Sequence, residues 1–320
     1  MTLRCTRISA AFAGLAVVTL SLAACGGGGG SATASDKIKT VASTNVWGSV
    51  IKAVGGDAVD VHSIIDDPSA DPHSYESKPA DVTALDNAEL AIYNGGGYDD
   101  FFTKLLADSG KDAKKIEAFG LSGKGGGDHG IASGEPDPSG GAHGGVNEHV
   151  WYDLPTVKKV ADKAAEELSA IAPAKKDTFT ANAKDFDSKI DTLLTGARKI
   201  GTDHSGSKVV VTEPVPHYLL ETAGVEDVTP AEFSKAIEEQ HDVPAAALAQ
   251  TNDLITNKQV VALVNNSQTE NGVTRQLLDK AGAAGVPVVG VTETLPQDAS
   301  GYVDWMTKQV DSLSSAIGKK

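Results

Sequence analysis

A long, uninterrupted helical pattern divides this sequence into two series of alternating strands and helices. Pro173 stands where the first turn of a helix tolerates proline, and apolar residues then recur near the 3.6-residue period up to residue 199. Short β-prone runs alternate with helical stretches on both sides of it, at residues 39–43, 59–65, 88–93, 115–119, 208–212, 260–264 and 286–291. Strands separated by helices favour parallel sheets.

We therefore predict an α/β protein of two similar lobes, each a mainly parallel sheet flanked by helices. The first lobe covers residues 37–172 and the second covers residues 201–320. One long, rigid helix over residues 173–200 joins them, and the cleft between them is the expected place for a ligand.

The N-terminus has the pattern of a lipoprotein export signal. Arg4 and Arg7 precede about 13 small or apolar residues, which are too few to span a bilayer. The run ends in Leu-Ala-Ala-Cys25, which resembles the lipobox of bacterial lipoproteins. We predict a signal peptide at residues 1–24, lipidation of Cys25, a flexible Gly- and Ser-rich tether at residues 25–36, and a location on the extracytoplasmic face of the bacterial cell membrane.

Composition restricts the possible ligands and partners. The two cysteines are Cys5, inside the predicted signal, and Cys25, so the mature domain has no disulfide and no thiolate. Any metal ion must then be bound by histidine nitrogen and by carboxylate or carbonyl oxygen. A net charge of −15 argues against nucleic acid as a partner.

Four polar side chains lie where open α/β sheets bind their ligands, in loops near the ends of predicted strands. His73 follows the strand that ends at residue 65, and His149 lies just before a predicted helix. Glu213 and Glu293 end two strands of the second half. Two residues thus come from each half, and imidazole together with carboxylate suits borderline and hard divalent ions.

The arrangement resembles the cluster A-I, or ZnuA/TroA-type, substrate-binding proteins of zinc and manganese ABC importers, over essentially the whole mature chain. The Asp-Pro-His73 and His149-Val-Trp segments resemble those that carry the first two histidine ligands of the family. Glu213 stands at the third position, and Glu293 stands where the family usually has aspartate. The resemblance implies that one Zn²⁺ or Mn²⁺ per chain is bound as the transported ligand by these four residues.

The same resemblance implies a capture protein rather than an enzyme. We expect a monomer that closes its lobes slightly about the stiff helix, docks on the membrane permease of an ABC-type importer, and releases the ion. The family often has glutamate after the strand where this chain has Asn265-Asn266, a position outside the four expected ligands.

Alternatives remain for individual residues. His217 lies one helical turn after Glu213 and is the alternative third ligand. His129 and His143 lie in a segment rich in Gly, Ser, Pro and Asp, residues 121–146, which we interpret as a mobile loop. These two resemble a reduced form of the His-rich loop of some zinc-binding members, which would sample metal weakly; an inert linker is the other interpretation.

Two other functions and the choice of metal also remain open to test. An exported zinc-dependent hydrolase is disfavoured because four protein ligands leave no position for water, and the sequence has no HExxH motif. A surface adhesin is the other alternative. The physiological metal stays open, because almost any such site binds Zn²⁺ more tightly than Mn²⁺.

Overall fold

The computed structural model describes residues 37–68, 70, 72–125 and 146–319. The predicted signal peptide, the lipidation site Cys25, the tether, and both His129 and His143 lie outside the described residues, as does most of the predicted loop at residues 121–146. No helix in the described part of the chain has both the length and the hydropathy needed to span a membrane.

The first lobe is built on four parallel strands. The strands are β1 Ile38–Thr44, β2 Val59–Ile65, β3 Leu90–Tyr93 and β4 Lys114–Glu117. The helices are α1 Asn45–Gly55, α2 Pro79–Asp86, α3 Asp100–Asp108, α4 Ala118–Ser122 and α5 Leu154–Ile171. The sheet order is β2-β1-β3-β4. The connection from the edge strand β2 to the central strand β3 therefore passes β1.

The second lobe repeats this plan after the linking helix α6 Lys176–Asp203. Its strands are β5 Lys208–Val211, β6 Glu226–Asp227, β7 Ala262–Asn266 and β8 Val288–Val291, all parallel in the order β6-β5-β7-β8. Its helices are α7 His217–Thr222, α8 Ala231–Glu238, α9 Ala245–Thr256, α10 Gly272–Ala284 and α11 Tyr302–Ile317.

Both faces of each sheet are covered, as parallel strands require. In β5, Val209 and Val211 pack into one hydrophobic cluster, whereas Val210 points to the opposite face and joins a second cluster with Phe233 of α8. The first sheet has the same division, with Val41 of β1 on its separate outer cluster. The expected two-lobed α/β fold is confirmed at this level.

The two lobes share the inner cluster, which α6 crosses. The buried side of α6 includes Phe179, Phe186 and Ile190, which belong to the same cluster as Ile92 of β3 and Val264 of β7. The predicted long helix is confirmed, although Pro173 lies in a 3₁₀ turn, Pro173–Lys175, directly before it. A core shared across the linking helix restricts relative motion of the lobes.

Hydrogen bonds also cross between the lobes. The Tyr302 hydroxyl at the start of α11 donates to the carbonyl of Trp151 at 2.5 Å. The Asn45 amide donates to the Leu295 carbonyl at 3.1 Å and accepts from the Leu295 N–H at 2.9 Å. The C-terminal helix is therefore fastened to the first lobe as well as to the second.

The sequence patterns did not predict every element. Among the α-helices and strands of the described residues, four short ones were missed, namely α2, α4, β6 and α8. The predicted strand at residues 115–119 ends at Glu117, because the chain turns into α4 at Ala118. Segments of two to eight residues carry too few apolar positions for a period to be recognised.

Candidate metal-binding site

His149 lies just before the 3₁₀ turn Val150–Tyr152 that leads into α5, and it is completely buried. Its Nδ1 lies 2.9 Å from Oδ1 of Asn147, and the amide group of Asn147 donates to the Pro214 carbonyl at 2.9 Å. Because that bond fixes the amide orientation, Oδ1 accepts and the imidazole carries its proton on Nδ1. The lone pair of His149 is therefore on Nε2, which has no hydrogen-bond partner among the described residues.

Burial keeps His149 neutral. Desolvation lowers its pKa well below the ordinary value, and the nearby His73 and His217 lower it further. A neutral imidazole with a free lone pair is the form that binds a metal ion. The edges of the Tyr98 and Trp151 rings enclose the imidazole, with ring centroids 6.1 Å and 5.1 Å away.

His73 lies in the 3₁₀ turn Pro72–Ser74 that follows β2, and its side chain is 31 % exposed. Its ring contacts the Tyr98 ring edge-on, with centroids 5.0 Å apart, and lies 6.4 Å from the His149 ring. Its Nε2 is 3.6 Å from Oε2 of Glu293 in the other lobe. The two predicted histidines are thus brought together, and one of them faces a predicted carboxylate.

Glu213 and Glu293 follow β5 and β8, and each is only 3 % exposed. The side-chain amide of Asn266, at the end of β7, donates to both of them, at 2.7 Å to Oε2 of Glu213 and 2.8 Å to Oε1 of Glu293. All three strands end at the same edge of the sheet, so these side chains meet there. The structure therefore brings the two predicted carboxylates together around one amide group.

The loop after β7 completes this polar cluster. The Thr269 hydroxyl donates to Oε1 of Glu213. Gln268 accepts from the backbone N–H of Glu293 and, at 3.2 Å, from that of Thr294. Gln268 also donates to the carbonyl of Pro68 in the first lobe, which joins the carboxylate side of the site to the loop that carries His73.

A second set of bonds fixes the segment before His149. The carboxylate of Asp99 accepts from the N–H groups of Asn94 and Gly95 at 2.7 and 2.8 Å, which holds the turn after β3. The Asn94 amide then donates to the Glu148 carbonyl at 2.9 Å. His73, Glu148 and His149 each place one potential ligand atom within 4.8 Å of the others. Glu148 was not among the predicted site residues.

Glu238, the last residue of α8, is a second residue that sequence reasoning missed. Its Oε1 lies 3.8 Å from Nε2 of His149. Burial raises its pKa to about 9, and the carboxylates of Glu148, Glu213 and Glu293 add to the rise. Phe233, Ala236 and Ile237 are at helical spacing after Pro230, but three apolar positions are too few for the period of α8 to be recognised.

His217 is exposed and begins α7. It lies close enough to the site to contribute, after burial and His73, to the lowered pKa of His149. Its exposure differs from that of Glu213, which is buried in the carboxylate cluster. His73 and His149 each lie within 4 Å of a carboxylate oxygen, at 3.6 Å from Glu293 and 3.8 Å from Glu238.

The site therefore combines imidazole nitrogens from one lobe with carboxylate oxygens from the other. Two atoms that each lie about 2.1 Å from one ion are about 3.0–4.2 Å apart. The nitrogen–oxygen distances of 3.6 and 3.8 Å fall in that range and are too long for hydrogen bonds. The geometry is suited to a divalent cation held between the lobes.

Comparison with known proteins identifies the family of the chain. The chain is 30 % identical over 253 residues to the manganese ABC transporter substrate-binding lipoprotein PsaA of Streptococcus anginosus, covering 71 % of this chain and 76 % of that protein. It is 30 % identical over 252 residues to the iron ABC transporter substrate-binding lipoprotein MtsA of Streptococcus pyogenes serotype M1, with coverage of 71 % and 76 %.

The fold resembles that of the periplasmic zinc-binding protein TroA from Treponema pallidum, with a TM-score of 0.70 at 18 % identity, covering 88 % of this chain and 100 % of that one. The model of the family described as ZnuA, zinc-uptake complex component A periplasmic, matches residues 40–316. This match spans both lobes and the linking helix, so the chain belongs to the ZnuA family, whose members are substrate-binding proteins of ABC transporters and not enzymes.

Proposed function

We propose that this protein captures one divalent metal ion, Zn²⁺ or Mn²⁺, outside the cytoplasm and delivers it to the membrane permease of an ABC importer. His73, His149, Glu213 and Glu293 are the proposed ligands. The observation that carries the proposal is the buried Nε2 of His149, which has its lone pair directed into the site and no hydrogen-bond partner among the described residues. A buried polar atom of this kind requires a partner, and a cation supplies one.

The charges of the site support a cation as that partner. Glu213 and Glu293 lie side by side and nearly buried, where two carboxylates repel each other and are poorly solvated. A 2+ ion balances both charges, and one nitrogen from each of the two imidazoles completes four ligands. Four protein ligands leave no open position for a reactive water, which fits a carrier and not a hydrolase.

Binding affinity alone does not identify the metal that the protein transports, so metal uptake must be measured as well. The relatives named above carry manganese and iron in their names, and the family is described by zinc. A site of two imidazoles and two carboxylates accepts each of these ions, and it binds Zn²⁺ more tightly than Mn²⁺. We retain Zn²⁺ and Mn²⁺ as the proposed cargo, one ion per chain.

We further propose that the protein is a monomer anchored through lipid on Cys25 to the extracytoplasmic face of the membrane. Residues 1–24 would be removed as a signal peptide, and residues 25–36 would tether lobes formed by residues 37–172 and 201–320. The relatives PsaA and MtsA are named as lipoproteins, which supports this assignment. Weak metal sampling by His129 and His143 of the 121–146 loop remains a prediction.

Competitive metal titration of the purified protein tests the proposal. We expect one equivalent of Zn²⁺ or Mn²⁺ in the wild type and a loss of affinity of more than about 100-fold in both His73→Ala and Glu213→Ala, since each removes a direct ligand. If stoichiometric binding survives Glu213→Ala and is lost in His217→Ala, His217 and not Glu213 is the third ligand. A wild-type protein that binds neither ion would refute the function.

A further inference from the structure

Glu238 stands apart from the two predicted carboxylate ligands because it reaches the site from the end of a helix and not from the loop after a strand. Phe233 and Ile237 of α8 pack in the same cluster as Val210 of β5, the strand that leads to Glu213. This packing sets the last turn of α8 beside the carboxylate cluster. Glu238 is the final residue of the helix, and its side chain is 20 % exposed.

The carboxylate of Glu238 faces His149 without bonding to it. Its Oε1 is buried and has no hydrogen-bond partner among the described residues, and the same holds for Nε2 of His149. The two atoms are 3.8 Å apart, within the range of about 3.0–4.2 Å for two ligands of one ion. A cation between these two buried atoms would give each of them a partner.

We propose that Glu238 is a fifth protein ligand of the transported ion, bound on the His149 side of the site. This inference rests on the proposed function and extends it. The ion would then be held by two imidazoles and three carboxylates, with Glu293 beside His73 and Glu238 beside His149. Zn²⁺ in closed protein sites takes four ligands, whereas Mn²⁺ accepts more and prefers carboxylate oxygen. Glu238 therefore shifts the selectivity of the site toward Mn²⁺.

The neighbouring residue provides a matched control. Glu239 is exposed, and its carboxylate lies 3.7 Å from Nζ of Lys235 on the outside of α8. Glu238→Gln and Glu239→Gln each replace a carboxyl group by an amide of the same shape, one residue apart. A general effect of lowering the negative charge of the protein would appear in both variants.

The experiment titrates wild type, Glu238→Gln and Glu239→Gln with Mn²⁺ and with Zn²⁺, and records the visible absorption of each protein loaded with Co²⁺. We expect Glu238→Gln to weaken Mn²⁺ binding by at least about tenfold and Zn²⁺ binding by less. The Co²⁺ bands should gain intensity in that variant, as the site changes from five-coordinate to four-coordinate. Glu239→Gln should match the wild type in every measurement.

The outcomes separate this inference from the proposed function. A wild-type protein that binds no metal would refute both. Stoichiometric binding in the wild type, with a Co²⁺ spectrum that Glu238→Gln leaves unchanged, would keep the function and show that Glu238 is not a ligand. An equal loss of Mn²⁺ affinity in both glutamine variants would also overturn the inference, because it would reflect charge alone.

Discussion

The two lobes build their sides of the site in different ways. The first lobe holds imidazoles by packing: His149 lies against the rings of Tyr98 and Trp151, and a single bond to Asn147 sets its tautomer. The second lobe holds carboxylates by hydrogen bonds, with Asn266 donating to two of them. The imidazole side is thus fixed by shape, and the carboxylate side is fixed by a polar network.

This difference assigns separate tasks to the two sides. Packing in a dry pocket keeps the histidine neutral and ready to bind, since desolvation lowers its pKa. A network of donors keeps two buried carboxylates close together before a cation arrives. His73, with 31 % of its side chain exposed, is the most accessible of the four proposed ligands, and we expect the ion to enter and leave beside it.

The largest expected effect comes from removing the buried imidazole. His149→Ala should weaken Zn²⁺ and Mn²⁺ binding by more than about 100-fold, beyond the roughly 10–100-fold attributed to partners outside the ligand shell. His217→Ala, which changes an exposed histidine near the same site, should alter affinity by less than about threefold. The reverse order in competitive titration would mean that the imidazole side has been assigned to the wrong residue.

A smaller loss should follow when the carboxylate network is broken. Asn266→Ala leaves both ligands in place but removes the donor between Glu213 and Glu293, so we expect a loss of about 10–100-fold in affinity. Asn265→Ala is the matched control, because the Asn265 amide bonds to Glu270 instead. If both variants bound metal like the wild type, the network would not be what holds the carboxylates.

Asn147 tests how far packing alone fixes the imidazole. Asn147→Ala removes the acceptor at Nδ1 and the bond to Pro214. We expect about a tenfold loss of affinity, less than for Asn266, because the aromatic rings still enclose His149. Asn182→Ala, which removes a comparable bond to Val54 away from the site, should leave the metal affinity measured by isothermal titration unchanged. A loss as large as that of His149→Ala would mean that the hydrogen bond, and not packing, fixes the ring.

The smallest effect concerns pH. Burial raises the pKa of Glu238 from 4.5 to about 9, so between these values the folded chain binds more protons than the unfolded chain. The stability of the metal-free protein should therefore fall as pH rises toward 9, by on the order of 1 kcal/mol per pH unit. Urea unfolding should show this slope in the wild type and a flatter one in Glu238→Gln.

The pH dependence of stability in the wild type and in Glu238→Gln should be compared above pH 7. The lowered pKa of His149 destabilises the folded state only as pH falls below the ordinary histidine value of 6.5, so it does not contribute at higher pH. Parallel slopes for wild type and Glu238→Gln would contradict a buried, protonated Glu238.

Much of the fold follows from local patterns. The alternation of residues 59–65 predicted β2 with its observed bounds Val59–Ile65. Glu213 and Glu293 could be chosen because parallel strands bring their carboxyl ends to one edge of a sheet. Their contact through Asn266 needed the structure, since it depends on the side-chain directions of three separate strands.

The features that the sequence did not predict depend on packing between distant parts of the chain. Glu238 is carried by an eight-residue helix whose position depends on packing against the second sheet and not on its own pattern. Gln240, two residues after Glu238, has φ 55°, a left-handed conformation that glycine usually adopts. Because the residue here is glutamine, the sequence did not predict this turn. The 3.6 Å approach of His73 to Glu293 joins residues of opposite lobes, so it depends on the shared core and cannot be read from either half alone.

The most direct test of the proposed site is a crystal structure of the metal-loaded protein with anomalous data collected at the zinc and manganese absorption edges. We expect a single anomalous peak between the lobes, about 2.0–2.2 Å from atoms of His73, His149, Glu213 and Glu293. An ion held by residues of one lobe only, or no peak in this cleft after soaking with either metal, would contradict it.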